Sequence, residues 1–130
     1  MSNKKKFGIK PYGKKVKKPW GYEIVFTPPK AKRTGKILFV KAGHRFSLQC
    51  HDQKEETLCL FSGKAIIWLE DKKGKINKIA MKKKEGYFIS RFQKHRVEAI
   101  SDSYIFEISG LETGTTFRFE DDYHRKNEKL

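Results

Sequence analysis

Residues 43 to 63 read GHRFSLQCHDQKEETLCLFSG and hold three potential metal ligands, Gln49, His51 and Glu56. Gln49 and His51 are one residue apart, so on a β-strand their side chains point to the same face. Four residues separate His51 from Glu56, which is enough for a turn that brings the next strand alongside. One imidazole, one carboxylate and one amide oxygen suit a divalent ion such as zinc, manganese, iron or cobalt. A fourth ligand has to come from elsewhere in the chain, and His95 is the natural candidate.

The chain has 130 residues, the length of a single domain that can bury a core. Hydrophobic residues make up 37% and aromatic residues 13%, which excludes compositional disorder. No apolar run approaches the roughly 20 residues of a membrane helix, and no apolar segment follows the N-terminal lysines as in a secretory signal. We therefore expect a cytoplasmic protein without a membrane partner, in which Cys50 and Cys59 are reduced thiols that serve packing.

The formal net charge of +15 is concentrated at the N-terminus, where residues 1 to 18 hold eight lysines and no acidic residue. This composition predicts a basic, flexible arm over residues 1 to 18, ahead of a domain over residues 19 to 130. Such an excess attracts anions, whether nucleic acid, acidic lipid headgroups or phosphorylated metabolites. A solvated tail that aids solubility is the commoner role of a lysine run, and nucleic-acid binding through the arm is the alternative.

Short β-prone runs, separated by turns rich in Gly, Pro, Asp and Ser, follow one another without a helical period or an internal repeat. Residues 120 to 130 are charged and either helical or frayed. Residues 17–26 hold a Pro-Trp-Gly corner and then a short predicted strand. Further strands are predicted over residues 36–41, 45–51, 57–70 with a break at 62–63, 75–81, 87–90, a stretch that starts near 95, 104–109 and 115–119. Eight or more short strands with regularly spaced turns predict an all-β sandwich or barrel.

The spacing from Gly43 through Gln49, His51 and Glu56 to Gly63 resembles the first motif of the cupin superfamily. The usual motif has His where this chain has Gln49, but the run SLQCH at 47 to 51 is similar to the SLQ-x-H of phosphomannose isomerases. The second cupin motif supplies another His, and FQKHR at 92 to 96 lies where that motif belongs. The resemblance therefore implies a single-domain double-stranded β-helix, or jelly-roll, barrel. It also implies one divalent metal ion, zinc before manganese, iron or cobalt, held by the set Gln49, His51, Glu56 and His95.

Two further stretches resemble mannose-6-phosphate isomerase cupins. They are KPWG at 18 to 21 and FRFEDDYHR at 117 to 125, so the resemblance spans roughly residues 17 to 125. The chain departs from the family in having Ser90-Arg91-Phe92 for a Pro-x-Gly, Ala99 for a frequent Asn, and His124 for a glycine. The run Asp52-Gln53-Lys54 stands where the family has a His-rich run with an arginine. The resemblance implies a homodimer that interconverts mannose 6-phosphate and fructose 6-phosphate.

Candidate catalytic residues are Glu107 and Arg118, and candidate phosphate ligands are Arg45, Lys54, Arg91 and Arg96. Arginine binds phosphate oxygens through paired donors and lysine acts as a point charge, although a solvated surface charge is the commoner role for any one of these residues alone. Glu107 faces either solvent or the pocket, because it alternates with Phe106 and Ile108. The base is Glu107, a nearby lysine or a metal-bound water, and the residues do not choose among these.

A cupin that binds a metal ion or a sugar without turnover is the alternative function. Each of the four metal candidates also has an alternative role as a polar residue satisfied by its neighbours in a half-buried strand.

Overall fold

The computed structural model describes residues 6 to 130 and shows an all-β protein, with twelve strands and no helix among those residues. Within this part of the chain no helix is long and apolar enough to cross a membrane. The strands are β1 (Lys14–Lys18), β2 (Gly21–Val25), β3 (Thr34–Val40), β4 (Leu48–His51), β5 (Glu56–Ser62), β6 (Ala65–Glu70), β7 (Ile76–Ala80), β8 (Gly86–Ile89), β9 (His95–Ala99), β10 (Ser103–Ser109), β11 (Thr115–Glu120) and β12 (Glu128–Lys129).

The strands form two six-stranded sheets that face each other. Sheet A has the order β1-β2-β3-β10-β5-β8, and sheet B has the order β12-β11-β4-β9-β6-β7. Successive strands from β4 to β11 alternate between the two sheets, except that β6 and β7 form a hairpin within sheet B. This winding is a double-stranded β-helix, so the predicted jelly-roll barrel of a single domain is confirmed.

The inward-facing side chains change from apolar to charged along the barrel. In sheet A, Ile105 of β10 pairs in register with Leu38 of β3 and Leu60 of β5, and all three are at most 2% exposed. Two residues further along the same strands, Glu107 pairs with Lys36 instead. Burying each aliphatic side chain contributes about 1.5–3 kcal/mol to stability, so the apolar rows hold the sheets together while the charged rows surround a cavity.

The predicted boundary between an arm and a domain at residue 18 needs correction. Residues 14 to 18 form β1, which pairs along its whole length with β2 at the edge of sheet A. Backbone hydrogen bonds make this strand, and four of its five residues are lysines, so no apolar alternation in the sequence marked it. Residues 1 to 5 of the predicted arm lie outside the described residues. The chain end, expected to be helical or frayed, includes β12, which pairs with β11.

Three residues other than glycine adopt backbone conformations that favour glycine, and Lys84, in a charged turn, is one of them. Phe92 has a φ of 63° and His124 a φ of 56°. These are the positions at which the resemblance expects glycine, so the backbone shape of the turns remains although the residue type has changed. A left-handed conformation costs a side chain about 1–2 kcal/mol, and both turns therefore carry strain.

Candidate metal centre

Three donor residues meet inside the barrel at its charged end. His51 ends β4, Glu56 begins β5 and His95 begins β9. Strands β4 and β9 are neighbours in sheet B, paired in register at Gln49 and His95, and the 52–55 turn carries the chain across to β5 in sheet A. Their ligand atoms all lie within 4.8 Å of one another, and no residue of the three is more than 4% exposed. Residues from two separated motifs thus converge on one point.

The carboxylate of Glu56 lies between the two imidazoles. Its Oε1 atom is 2.9 Å from Nε2 of His95 and 3.7 Å from Nε2 of His51. The two rings are 5.3 Å apart between centroids and are tilted by 55°, so both direct Nε2 towards the same space. Two nitrogens and an oxygen in this arrangement resemble the ligand set of a tetrahedral or octahedral site that leaves positions free.

The outer ring nitrogen of each imidazole has a hydrogen-bond partner. Nδ1 of His95 lies 2.9 Å from the carbonyl oxygen of Gln93, and because a carbonyl only accepts, Nδ1 carries the proton. Nδ1 of His51 lies 2.9 Å from the hydroxyl of Thr116. Burial lowers the pKa of His51 although Glu56 opposes this, which favours the neutral ring. Metal-bound histidines in proteins are held in this way by a partner on the second nitrogen.

The donor set fits a divalent cation. With Nδ1 protonated, Nε2 of His95 presents a lone pair to the Glu56 carboxylate, and that buried nitrogen has no hydrogen-bond partner. Two electron pairs facing each other in a buried site repel unless a cation or a proton lies between them. His51, Glu56 and His95 would hold the ion, because each offers one ligand atom to the cluster.

Gln49, the fourth predicted ligand, lies on the wall of the same cavity. It is two residues before His51 on β4 and pairs in register with both His95 and Arg118. Its Oε1 accepts a hydrogen bond of 3.3 Å from the Ser47 hydroxyl. The predicted metal role of Gln49 therefore stays a prediction.

The cavity beside the donors has a volume of about 460 Å³ and is lined by strands of both sheets. Its wall includes Lys54, Glu107 and Arg118 as well as Gln49, His51 and Glu56. A cavity of this volume suits a small metabolite. The sequence left open whether Glu107 faces solvent or the pocket. In the structure, β10 directs Glu107 into the cavity and its apolar neighbours outward.

Lys54 connects the metal donors to further carboxylates. Its Nζ atom lies 3.3 Å from Oε2 of Glu56, 3.5 Å from Oε2 of Glu107 and 3.1 Å from Oε2 of Glu112. Burial lowers the pKa of Lys54, but the carboxylates of Glu107, Glu56 and Glu112 outweigh it and raise that pKa well above the ordinary value. Lys54 is therefore a permanent buried cation.

The pKa values of two carboxyl groups beside Lys54, those of Glu107 and Glu56, are shifted in opposite directions. Burial, and next the charge of Glu56, raises the pKa of Glu107 to about 7. Burial also raises the pKa of Glu56, but Lys54 and the two imidazoles hold it well below the usual range. Two carboxyl groups of one cavity are thus separated into a permanent anion and a group that exchanges its proton near neutral pH.

Three of the predicted phosphate ligands do not reach the cavity. Arg96 follows His95 on β9, so it points to the opposite face of sheet B, where its Nε donates to the Phe46 carbonyl. Arg45 donates twice to Asp122 at the surface. Arg91 lines a separate depression rather than the cavity. We correct their assignment to phosphate binding, since the alternation of strand residues places Arg96 outside whenever His95 is inside.

The polar wall also includes residues that the sequence reasoning missed, among them Lys36 and Glu112. Lys36 of β3 pairs with Glu112 and lies 3.6 Å from Glu23 of β2. Lys36 alternates with Ile37, and because Leu38 and Val40 are buried on its own face, its inward direction could have been read from the KILFVK pattern. Glu112 lies in a loop and gave no such signal.

Comparisons with known proteins agree with the fold. A structure of the capsular polysaccharide assembling protein CapF from Staphylococcus aureus is 16% identical, with a TM-score of 0.63, over 92% of this chain and 32% of that one. A structure on the Mn(II) centres of Bacillus subtilis oxalate decarboxylase is 17% identical, with a TM-score of 0.63, over 89% of this chain and 29% of that one. KdgF from Halomonas sp. is 12% identical, with a TM-score of 0.63, over 76% of this chain and 86% of that one.

This chain spans about a third of the length of the matched CapF and oxalate decarboxylase chains, and at these identities the likeness shows the fold alone. No curated protein sequence matches the chain. The family model described as mannose-6-phosphate isomerase C-terminal matches residues 7–128, nearly the whole chain. The chain is therefore a cupin and belongs to the mannose-6-phosphate isomerase C-terminal family.

Proposed function

We propose that the protein is a metal-dependent sugar-phosphate isomerase that interconverts mannose 6-phosphate and fructose 6-phosphate. The observation that carries the proposal is the Glu107 carboxyl, with a pKa of about 7, in one cavity with His51 and Glu56, whose ligand atoms cluster with that of His95. The match to a family named for this isomerase supports the substrate. A metal site alone would serve binding, whereas a proton-exchanging group beside it serves chemistry.

The reaction needs one base and a fixed substrate. Glu107 in its ionised form takes the proton from C2 of the open-chain aldose and returns it to C1, while the proton of the C2 hydroxyl moves to the oxygen on C1. A bound divalent ion would supply positive charge that polarises the two sugar oxygens during this exchange. Lys54 stays charged next to Glu107 and stabilises the carboxylate form of the base between turnovers.

Arg118 supports binding of the phosphate. It lines the cavity, its guanidinium donates to Glu128 and to the Lys126 carbonyl, and its buried Nε has no hydrogen-bond partner. A donor that is held in place by two contacts and has one N–H free suits an incoming phosphate oxygen.

A coupled assay of fructose 6-phosphate formation tests the proposal. Wild-type protein is expected to turn over, a chelator to abolish turnover, and Glu107→Gln to reduce it by about 100-fold or more, the size of a general-base contribution. Arg45→Gln is the matched control, because that residue lies outside the cavity. Absence of turnover in metal-loaded wild type, with calorimetry still showing metal-dependent sugar binding, would instead establish the non-catalytic alternative.

We also propose that two copies pair through the outer face of sheet A. Phe61, Phe88 and Ile108 are each more than half exposed there, and in register Thr57 lies between Phe88 and Ile108. A contiguous apolar face on a chain this highly charged favours a protein partner over solvent. Nucleic-acid association through the lysines of residues 1 to 18 remains a separate proposal, tested by salt-dependent binding to DNA or RNA.

A further inference from the structure

The loop between β10 and β11 places a carboxylate between two lysines of the cavity. Glu112 pairs through Oε1 with Lys36, and its Oε2 lies 3.1 Å from Nζ of Lys54. The lysine side chains are 12% and 5% exposed, whereas that of Glu112 is 27% exposed. One carboxylate from a loop thus bridges two nearly buried ammonium groups, beside the strand carboxylates that also contact them.

Glu112 differs from the other carboxylates around these lysines. Glu23, Glu56 and Glu107 lie on strands of sheet A, so the hydrogen-bonded ladder fixes their positions. Glu112 lies in the 110–114 loop, outside any strand, and a loop opens at a lower free-energy cost than a sheet. Among these four carboxylates, Glu112 is therefore the one that can leave the lysines without disturbing the barrel.

The contacts of Glu112 have the geometry of a bound oxyanion. A carboxylate and a phosphate each present several oxygens to ammonium donors, and both are held by the same charge-assisted hydrogen bonds. When Glu112 leaves, Lys54 keeps Glu56 and Glu107 and Lys36 keeps Glu23, and an incoming anion restores the contact that both lysines have lost. An incoming anion can take the place of Glu112, and the exchange keeps both lysines paired.

We propose that Lys36 and Lys54 form an oxyanion-binding subsite of the cavity, and that the Glu112 side chain occupies it until a phosphate or carboxylate group of a ligand replaces it. The identity of that ligand as a sugar phosphate rests on the proposed function, but the subsite does not. A competing internal anion lowers the apparent affinity by the fraction of molecules in which the subsite is free. Removing the Glu112 charge therefore tightens binding of an external oxyanion.

Calorimetric titration with inorganic phosphate tests the subsite directly. Glu112→Gln is expected to bind phosphate about tenfold more tightly than wild type, because a neutral side chain at position 112 no longer competes with phosphate for the lysines. Glu120→Gln is the matched control: it removes the same charge from a side chain that is 62% exposed and does not line the cavity, and it should leave the affinity within about twofold. The substitution Lys36→Gln should abolish phosphate binding at this subsite. Equal or weaker phosphate binding by Glu112→Gln would overturn the proposal.

A second measurement keeps the test valid if Glu112→Gln folds poorly. Leu111 is 54% exposed next to Glu112, so Leu111→Trp places a fluorophore on the loop. If Glu112 leaves the lysines, the emission of this tryptophan should change as phosphate is added. The midpoint of the change should equal the midpoint of the calorimetric titration. An unchanged emission at saturating phosphate contradicts the displacement. Neither readout needs turnover, so tight phosphate binding without isomerase activity would reject the proposed function and retain the subsite.

Discussion

The substitution Glu107→Gln should make the metal-free protein more stable at neutral and alkaline pH while slowing isomerisation by about 100-fold or more. The structure raises the pKa of Glu107 from 4.5 to about 7. Below pH 4.5 both the folded and the unfolded chain hold this proton, and the group contributes nothing. Between pH 4.5 and 7 the unfolded chain loses the proton while the folded chain keeps it, so the wild-type free energy of unfolding falls as pH rises.

The size of this effect follows from the two pKa values. A rise from 4.5 to about 7 corresponds to a loss of about 3 kcal/mol in the free energy of unfolding, complete above pH 7. Glutamine has nearly the same shape and does not titrate. The stability difference, Glu107→Gln minus wild type, should therefore increase by about 3 kcal/mol between pH 4 and pH 8.

Urea unfolding of chelator-treated protein across this pH range measures the difference. Glu112→Gln is the control with the opposite sign: Lys54 and Lys36 outweigh burial and lower the pKa of Glu112, so its stabilising effect is present at neutral pH and is lost in acid. A pH-independent difference for Glu107→Gln would refute the placement of Glu107 in a buried, anion-rich cavity.

Three shorter predictions concern other parts of the molecule. Phe92→Gly should raise the free energy of unfolding by about 1 kcal/mol in urea unfolding, because glycine adopts the observed φ without strain, whereas Phe92→Ala should not raise it. Phe61→Lys together with Ile108→Lys should convert a dimer into a monomer in sedimentation experiments, and a wild-type monomer would reject the proposed interface. Metal should dissociate as pH falls through the imidazole range, since a protonated His51 cannot bind; retention of metal at pH 4 in dialysis would contradict this.

The sequence predicted the barrel because its turns and its motif spacing both reflect backbone geometry. It left the direction of Glu107 open for a physical reason. Tyr104, Phe106 and Ile108 form the more apolar face of β10, yet they lie on the outer surface of sheet A, and the inner face carries Ile105 and Glu107. The hydrophobic pattern of β10 alone therefore did not show which face of the strand is buried. The pairing of β10 with β3 and β5 determines that Glu107 faces inward.

The charged wall of the cavity was harder to predict than the metal donors. His51 and Glu56 are fixed by spacing within one motif, whereas the contacts of Lys54 with Glu107 and Glu112 span more than 50 residues of chain. A loop residue such as Glu112 has no periodicity from which its direction follows. The misassigned Arg96, by contrast, could have been excluded from its position next to His95, because neighbouring strand residues face opposite sides.

Elemental analysis of protein purified without an affinity-metal step measures the metal centre itself. The arrangement of His51, Glu56 and His95 predicts about one equivalent of divalent metal in wild type, and little in His95→Ala. His44→Ala is the matched control, since that ring stacks on Tyr123 away from the cavity, and it should keep the wild-type amount. Wild-type metal content in a folded His95→Ala protein would contradict a metal site built on these three residues.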